Sequence, residues 1–373
     1  PRCPARCRRI STTRYAPTSG RKTAISAASA DPAGEAFAPV ALLHRLARSF
    51  VLSLRLLPQD LREHFARAYL LARAGDTVAD TEAVDPAARE RMLGQLEAAA
   101  HRLARGEPIT LEAAPLGPGG IPEERTLLTQ LPLVAEWVDE LSVPARKRAG
   151  EVCTTLFAAM HRDLARFGVT SDRVVALPDA GALDTYLYGN AGCVGGYWAQ
   201  ELATTSHRFT GLDVQSLERA GVHLGKALQR VNVVRDLAKD LRRGRCYLPA
   251  TELAAHGLDP RDLYFPDALG RLRPLLEAHI EAARTDLAAG LEFFHHLPHR
   301  WFRQRAAAGL PAVLARRTLD RLAAEPHRVL HAHDTVKVPR PEVKRLIARF
   351  LLLPPTDRGL ERLVLTRHQR HRS

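Results

Sequence analysis

The chain has no apolar run long enough to span a bilayer. Its longest candidate, Phe350-Leu351-Leu352-Leu353, stops at Pro354. That excludes a spanning helix and leaves a cytoplasmic or peripheral-membrane protein. Cysteine is scarce: five in 373 residues, at positions 3, 7, 153, 193 and 246. An odd, scattered set implies no disulfide framework and fits a reducing compartment. Cys3 and Cys7 are four residues apart, but no second pair lies near them to complete a zinc site. No glycine fingerprint of a Rossmann unit is present, so any dinucleotide would bind in another way. Strand-like alternation is nearly absent, and no internal repeat is found beyond the two Asp stripes described below.

Acids are missing from residues 1–30, which hold seven Arg/Lys, and residues 356–373 hold five Arg against two acids. The formal charge of +13 therefore sits at the ends: residues 31–355 carry 42 basic and 39 acidic residues. A near-neutral body lacks the footprint that nucleic-acid binding needs. Residues 1–36 mix Arg, Ser, Thr, Pro and Ala without helical period, as in a disordered leader. The composition suits an organelle transit peptide, and equally an extension of no function. A domain over 37–355 and a basic tail over 356–373 complete the expected organisation.

What is abundant is helical period. Leu42, Leu43, Leu46, Phe50 and Leu54 share a helical face before Pro58 breaks the run. Asp85-Pro86 reads as a cap followed by a first-turn proline. Helical patterns then cover 123–167, with interruptions at Pro132 and Pro144, and 181–206, 213–242, 271–292, 301–324 and 339–352. The economical architecture is all-α, one domain around a central cavity.

Two stretches carry matched polar stripes: Tyr69, Arg73, Asp76 and Asp80, and Gln229, Asn232, Asp236 and Asp240. An i, i+4 spacing stacks each Asp pair on one helical face. The intervening Leu70, Leu71, Val78, Val231, Val233, Val234 and Leu237 would bury the other faces, turning the carboxylates into a cavity. Buried like charges one turn apart need a cation, and Mg²⁺ takes carboxylate oxygens while sharing its other positions with substrate phosphates.

These stripes and four further segments resemble the squalene/phytoene synthase family, the head-to-head isoprenyl diphosphate synthases. Arg48-Ser49-Phe50 resembles the family's phosphate-contacting motif on its first helix, and Leu57 to Arg62 the approach to the first aspartate motif. Leu183 to Gly195 resembles its glycine-containing helix, and Gly244-Arg245-Cys246-Tyr247-Leu248-Pro249 the segment after its second aspartate motif. Within the family, Gly309 to Leu319 and Val336-Lys337-Val338-Pro339-Arg340 resemble the squalene synthase branch.

The resemblance implies an α-helical isoprenoid synthase fold and condensation of two farnesyl diphosphates to a cyclopropylcarbinyl (presqualene) diphosphate, followed by NADPH reduction to squalene. It implies Mg²⁺ held by Asp76, Asp80, Asn232, Asp236 and Asp240, with diphosphate contacts from Ser49, Arg73, Arg235, Arg245 and Tyr247. Tyr69, Arg73, Tyr186 and Arg235 would serve catalysis, with Tyr188 near the same region. Ala191, Gly192, Gly195 and Gln229 would lie along the prenyl tails, and Lys337 and Arg340 would meet NADPH. Peripheral membrane contact for product release and a monomeric state are expected. Phytoene, dehydrosqualene and hydroxysqualene synthases share these motifs. Non-catalytic relatives that act as assembly factors have lost them.

Three residues depart from the family's pattern: Lys239 stands where a Glu is usual, Asn190 where Val is common, and Ala306-Ala307-Ala308 where squalene synthases carry an aromatic. His295, His296 and His299 lack a Cys or carboxylate at ligand spacing and read as surface residues.

Overall fold

The computed structural model describes residues 38–47, 50–81, 85–114, 121–168, 173–205, 213–331, 335–353, 355–365 and 369. Arg48, Ser49 and the leader therefore lie outside the described residues. Prolines set several of the helix starts, because the first turn needs no amide donor and proline's φ suits it. Pro39 opens α1 (Pro39–Leu46), and a break at Ala47 separates it from α2 (Phe50–Leu56). After Pro58, α3 (Gln59–Asp80) carries the first Asp pair. Asp85 accepts a hydrogen bond from the Ala88 amide at 3.0 Å and caps α4 (Pro86–Ala104). Prolines in their first turns also start α5 (Pro122–Thr129), α6 (Leu131–Asp139) and α7 (Val143–Phe167).

Beyond α7 come β1 (Val175–Leu177), α8 (Ala180–Leu187), a π-helical turn (Tyr188–Gly192) and α9 (Cys193–Thr205). Then follow α10 (Val214–Arg235), α11 (Leu237–Leu241), β2 (Arg245–Pro249) and α12 (Ala250–Ala255). The chain continues through α13 (Leu269–Gly290), α14 (Glu292–His295), α15 (Phe302–Ala324), α16 (Arg340–Leu352) and α17 (Asp357–Val364). The fold is all-α and forms a single domain, as expected. The strands add one short parallel pair that aligns Val175 with Arg245 and Ala176 with Cys246.

The hub is α10, which packs against α9, α13, α14 and α15 and the π turn, while α3 packs on α7. The contact between α9 and α10 is made backbone to backbone. A Cβ on Gly195 would collide with the Gly221 carbonyl, so only glycine allows this approach.

Two features differ from the sequence reading. A continuous helix through Asp240 was expected, but α10 ends at Arg235, and Asp236 leaves the helical region at φ −98°, ψ 9°. Asp is a poor helix-interior residue, and here its carboxylate is gripped by Arg235, at 2.9 and 2.5 Å. The Asp240 amide still donates to the Asp236 carbonyl at 3.0 Å, so the i, i+4 stacking survives the break. The segment read as a basic tail contains α17, whose Leu360 and Val364 are buried. The fully buried Arg305 of α15 ties it down, donating to the Leu297 and Pro355 carbonyls at 2.8 Å and pairing with Asp357.

Candidate active site

The two Asp stripes meet around a polar recess of about 310 Å³, lined by Asp76 and Asp80 of α3, Asp163 of α7, Asp236 just before α11 and Asp240 within it. Its other polar walls include Tyr186, Asn190, Gln229, Asn232 and Tyr247, and its cations are Lys239, Arg243 and Arg245. Asn190 and Asn232 also line a second cavity of about 550 Å³, whose walls are mostly apolar and come from α2, α9, α10, α15 and the 336–343 segment. A polar chamber thus opens beside an apolar one, with two Asn side chains at their junction.

Burial raises the proton affinity of three carboxyls, Asp76, Asp163 and Asp240. Asp240 is pushed up to about 7 by burial and by the neighbouring Asp236 charge. Asp76 rises to about 6 through burial, with Asp80 and Glu124 adding to it and Arg73 opposing. Its side chain is 54% accessible and lines the recess. Asp163 also rises to about 6 through burial, although it accepts a hydrogen bond from the Tyr247 hydroxyl at 3.0 Å. Arg243 and Arg245 reach Asp80 across the recess, each at 3.7 Å, and so link the two stripes.

A chain of hydrogen bonds fixes the polar residues at the junction. Asn232 donates to Gln229 at 3.2 Å, and Gln229 donates to the Tyr186 hydroxyl at 2.9 Å. Tyr186 stacks on Tyr247 at 4.2 Å between centroids, and its own acidity is suppressed chiefly by burial. The Asn232 amide oxygen is left without a protein partner among the described residues. Asn190 bonds the Tyr186 carbonyl at 3.0 Å, which satisfies its amide within the π turn. Such turns insert an extra residue into a helix and often lie at functional sites.

Several expected site residues are placed elsewhere. Tyr69 lies seven residues before Asp76, about 10 Å along the helix axis, and stacks on Phe50 at 5.0 Å instead of lining the recess. Arg73 is committed to Glu124 at 2.6 Å, with Asp76 at 3.8 Å. Arg235 clamps Asp236 and faces the apolar cavity. Gln229, expected along the prenyl tails, lines the polar recess, whereas Ala191 and Gly195 do line the apolar cavity. Gly192 is buried in the π turn, outside both linings, and Tyr188 is exposed. Lys337 lines the apolar cavity, and Arg340 begins α16 as an exposed residue. Pro311 and Thr318 line that cavity too. Ala307 and Ala308 line it without an aromatic ring, but Phe50, Trp198 and Phe293 supply aromatic faces. His295 pairs with Glu361 and His299 with Asp357.

Sequence reasoning missed Asp163 and Arg243. Asp163 has no acidic partner at helical spacing; its only signal is its place beside the apolar Met160 and Leu164, which line the recess with it.

The donor set suits Mg²⁺, since every side chain on offer presents oxygen. The recess is lined by five Asp against Lys239, Arg243 and Arg245, and of the other nearby cations Arg235 is held by Asp236 and Arg73 by Glu124. Among the described residues no three His, Cys, Asp or Glu stand close enough to hold an ion by themselves. A metal here would need further oxygens, which a diphosphate has.

An all-α single domain with carboxylate stripes at the mouth of an apolar cavity has the architecture of an isoprenoid synthase. The family model for squalene/phytoene synthase matches residues 43–342, and the chain belongs to that family of head-to-head isoprenoid synthases. It is 29% identical over 299 residues to the phytoene synthase of Thermus thermophilus, covering 79% of this chain and 85% of that one. It is also 29% identical over 248 residues to the presqualene diphosphate synthase of Rhodopseudomonas palustris, covering 64% and 74% of the two chains. Among solved structures, TcSQS in complex with a ligand has a TM-score of 0.72 at 19% identity, over 87% of this chain and 89% of that one. Squalene synthase HpnC from Alicyclobacillus acidocaldarius has a TM-score of 0.51 at 20% identity, over 79% and 90%. At those identities the structures support the fold alone.

Proposed function

We propose that this chain is a Mg²⁺-dependent squalene synthase that joins two farnesyl diphosphates head to head and reduces the product with NADPH. The observation that carries the reading is the polar recess abutting the apolar cavity across Asn190 and Asn232. An amphiphile with a diphosphate head and a long hydrocarbon tail needs those two environments side by side.

Asp76, Asp80, Asn232, Asp236 and Asp240 would hold Mg²⁺, which when bound neutralises the diphosphate and makes it a competent leaving group. For Asp236 this requires Arg235 to release its carboxylate; the freed guanidinium then becomes a diphosphate donor. Lys239, Arg243 and Arg245 present further donors to the same oxygens, and Tyr247 orients Asp163. Ser49 and Arg73 are proposed as contacts for the second diphosphate. Departure of one diphosphate leaves an allylic cation, and the double bond of the second farnesyl chain attacks it. Loss of a proton closes the cyclopropane ring. The Tyr186 hydroxyl, kept neutral by burial and oriented by Gln229, presents an oxygen dipole to the cation. Phe50, Trp198 and Phe293 offer ring faces, and the apolar walls keep water away.

Departure of the remaining diphosphate from the cyclopropylcarbinyl product would leave a second cation, and NADPH, when bound, would supply the hydride that quenches it. Lys337 and Arg340 are the cations proposed to meet its phosphates. The squalene branch rests on Pro311, Thr318, Val336, Lys337 and Val343, all of which line the apolar cavity. A phytoene or presqualene diphosphate product is the second reading, favoured by the two 29%-identical relatives. A non-catalytic scaffold is disfavoured because it has no use for five Asp gathered around one recess.

The test is product identity with farnesyl diphosphate and Mg²⁺, with and without NADPH. Squalene should form only with NADPH, and the cyclopropyl diphosphate or its alcohols without it. A Lys337→Ala/Arg340→Ala variant should lose the second step more than the first. An unchanged product on omitting NADPH, or use of geranylgeranyl diphosphate alone, would overturn the squalene assignment.

A further inference from the structure

The largest exposed aliphatic feature of the described chain is at the end of α16. Leu351, Leu352 and Leu353 are 63%, 79% and 59% accessible, while Leu346 and Phe350 of the same helix are buried. Consecutive residues near a helix end point in successive directions about 100° apart, so one neighbouring helix could not cover all three. They project as an apolar wedge. The same two helices carry Lys344, Arg345 and Arg349 on α16 and Arg358 and Arg362 on α17, all exposed.

A surface cleft of about 440 Å³ between the two helices is lined by Arg349, Arg358, Arg362 and Leu353. None of these three arginines has an ion-pair partner among the described residues. The acids of the same helices are already engaged. Glu342 pairs with Arg321 at 2.6 Å, Glu361 with His295 at 3.0 Å, and Asp357 with the buried Arg305. The patch therefore combines a protruding apolar tip with uncompensated positive charge.

We propose that the ends of α16 and α17 form a docking surface for an anionic lipid bilayer, with Leu351–Leu353 inserted at the headgroup boundary and Arg349, Arg358 and Arg362 on lipid phosphates. The charge complementarity is with an anionic surface, and the mode is interfacial, since no helix among the described residues is long and apolar enough to cross a membrane. The opposite end of α16 supports the same occupant. Val343 lines the apolar cavity, as do Val336, Lys337 and Val338 just before the helix. One helix of 13 residues, about 20 Å long, thus connects the hydrocarbon chamber to the docking tip. That last link rests on the proposed function; the docking itself does not, because membrane binding needs no turnover.

The experiment is co-sedimentation of the full chain with unilamellar vesicles of neutral phosphatidylcholine, and of the same lipid with a third of phosphatidylglycerol. Three proteins are compared: the wild type, Leu351→Ser/Leu352→Ser, and Arg349→Gln/Arg358→Gln/Arg362→Gln. All three keep the same basic termini, so any binding through those ends is common to them. The wild type should bind the anionic vesicles and release as salt rises. The Leu pair should lower partitioning roughly tenfold or more. Each Arg should account for roughly fivefold at low salt. Circular dichroism and melting should match the wild type, since the altered side chains are exposed, and diphosphate release from detergent-dispersed substrate should be unchanged. Equal binding to neutral vesicles, or variants that bind as the wild type does, would overturn the proposal. So would variants that change only the oligomeric state in gel filtration, which would make the patch a protein interface.

Discussion

Replacing Asp240 by Asn separates the recess's role in catalysis from its cost to the fold. The Asp240 carboxyl rises from its ordinary 3.8 to about 7, chiefly through burial and then through Asp236. A rise of about three units corresponds to about 4 kcal/mol at 1.36 kcal/mol per unit. Water in the recess screens part of this, so the ionised side chain should cost the metal-free fold about 1–2 kcal/mol. The sign follows from proton linkage. A carboxyl whose folded pKa is raised holds its proton longer in the native state, so stability is greatest below pH 4 and falls as pH rises through 7. Asn cannot ionise and escapes that loss. Chemical denaturation without divalent ions should show the variant more stable than wild type by about 1–2 kcal/mol at pH 8, with the gain shrinking as the pH falls toward 4. Diphosphate release from farnesyl diphosphate with Mg²⁺ should fall at least a hundredfold. A variant less stable than wild type at pH 8, or one that keeps near-normal turnover, would refute the account of this recess.

Lys239→Ala should raise KM for the diphosphate substrate while leaving the Mg²⁺ dependence of the rate unchanged, as measured by steady-state kinetics. Tyr186→Phe should keep the stacking on Tyr247 but lose the Gln229 contact, lowering kcat for cyclopropane formation roughly 10–100-fold with little change in melting temperature. Gly195→Ala must push α9 away from the Gly221 carbonyl, costing about 1–3 kcal/mol in denaturant titration and distorting the prenyl cavity. Arg305→Met removes the buried donor to the Leu297 and Pro355 carbonyls and the partner of Asp357, and should cost about 3 kcal/mol by the same titration.

Helix limits were legible because proline and Asp caps act locally: Asp85-Pro86 starts α4 where the pattern places it. The carboxylate stripes were legible because i, i+4 spacing is itself a statement about one face. The break at Asp236 was not, since it depends on how the Arg235 side chain folds back onto the next residue. Tyr69 shares a face with Asp76, but a shared face does not fix the layer, and its place two turns back sets it against Phe50. Asp163 enters the recess alone from α7, and only the tertiary fold brings it to the aspartates; Arg243 follows Asp240 by three residues, and only the fold carries it across to Asp80. Burial of α17 was hidden by its charge, because the residues that anchor it are Leu360, Val364 and a distant arginine.

The most direct test of the central claim is the mass of what the chain makes from farnesyl or geranylgeranyl diphosphate with Mg²⁺, followed by liquid chromatography and mass spectrometry. Head-to-head condensation predicts a product with the carbon skeleton of two substrate molecules: thirty carbons from farnesyl diphosphate, with at least one diphosphate released per pair joined. Loss of that product in Asp76→Asn and Asp236→Asn would tie it to the recess. Unchanged substrate with both diphosphates, or only the hydrolysed single-chain alcohol, would contradict the account.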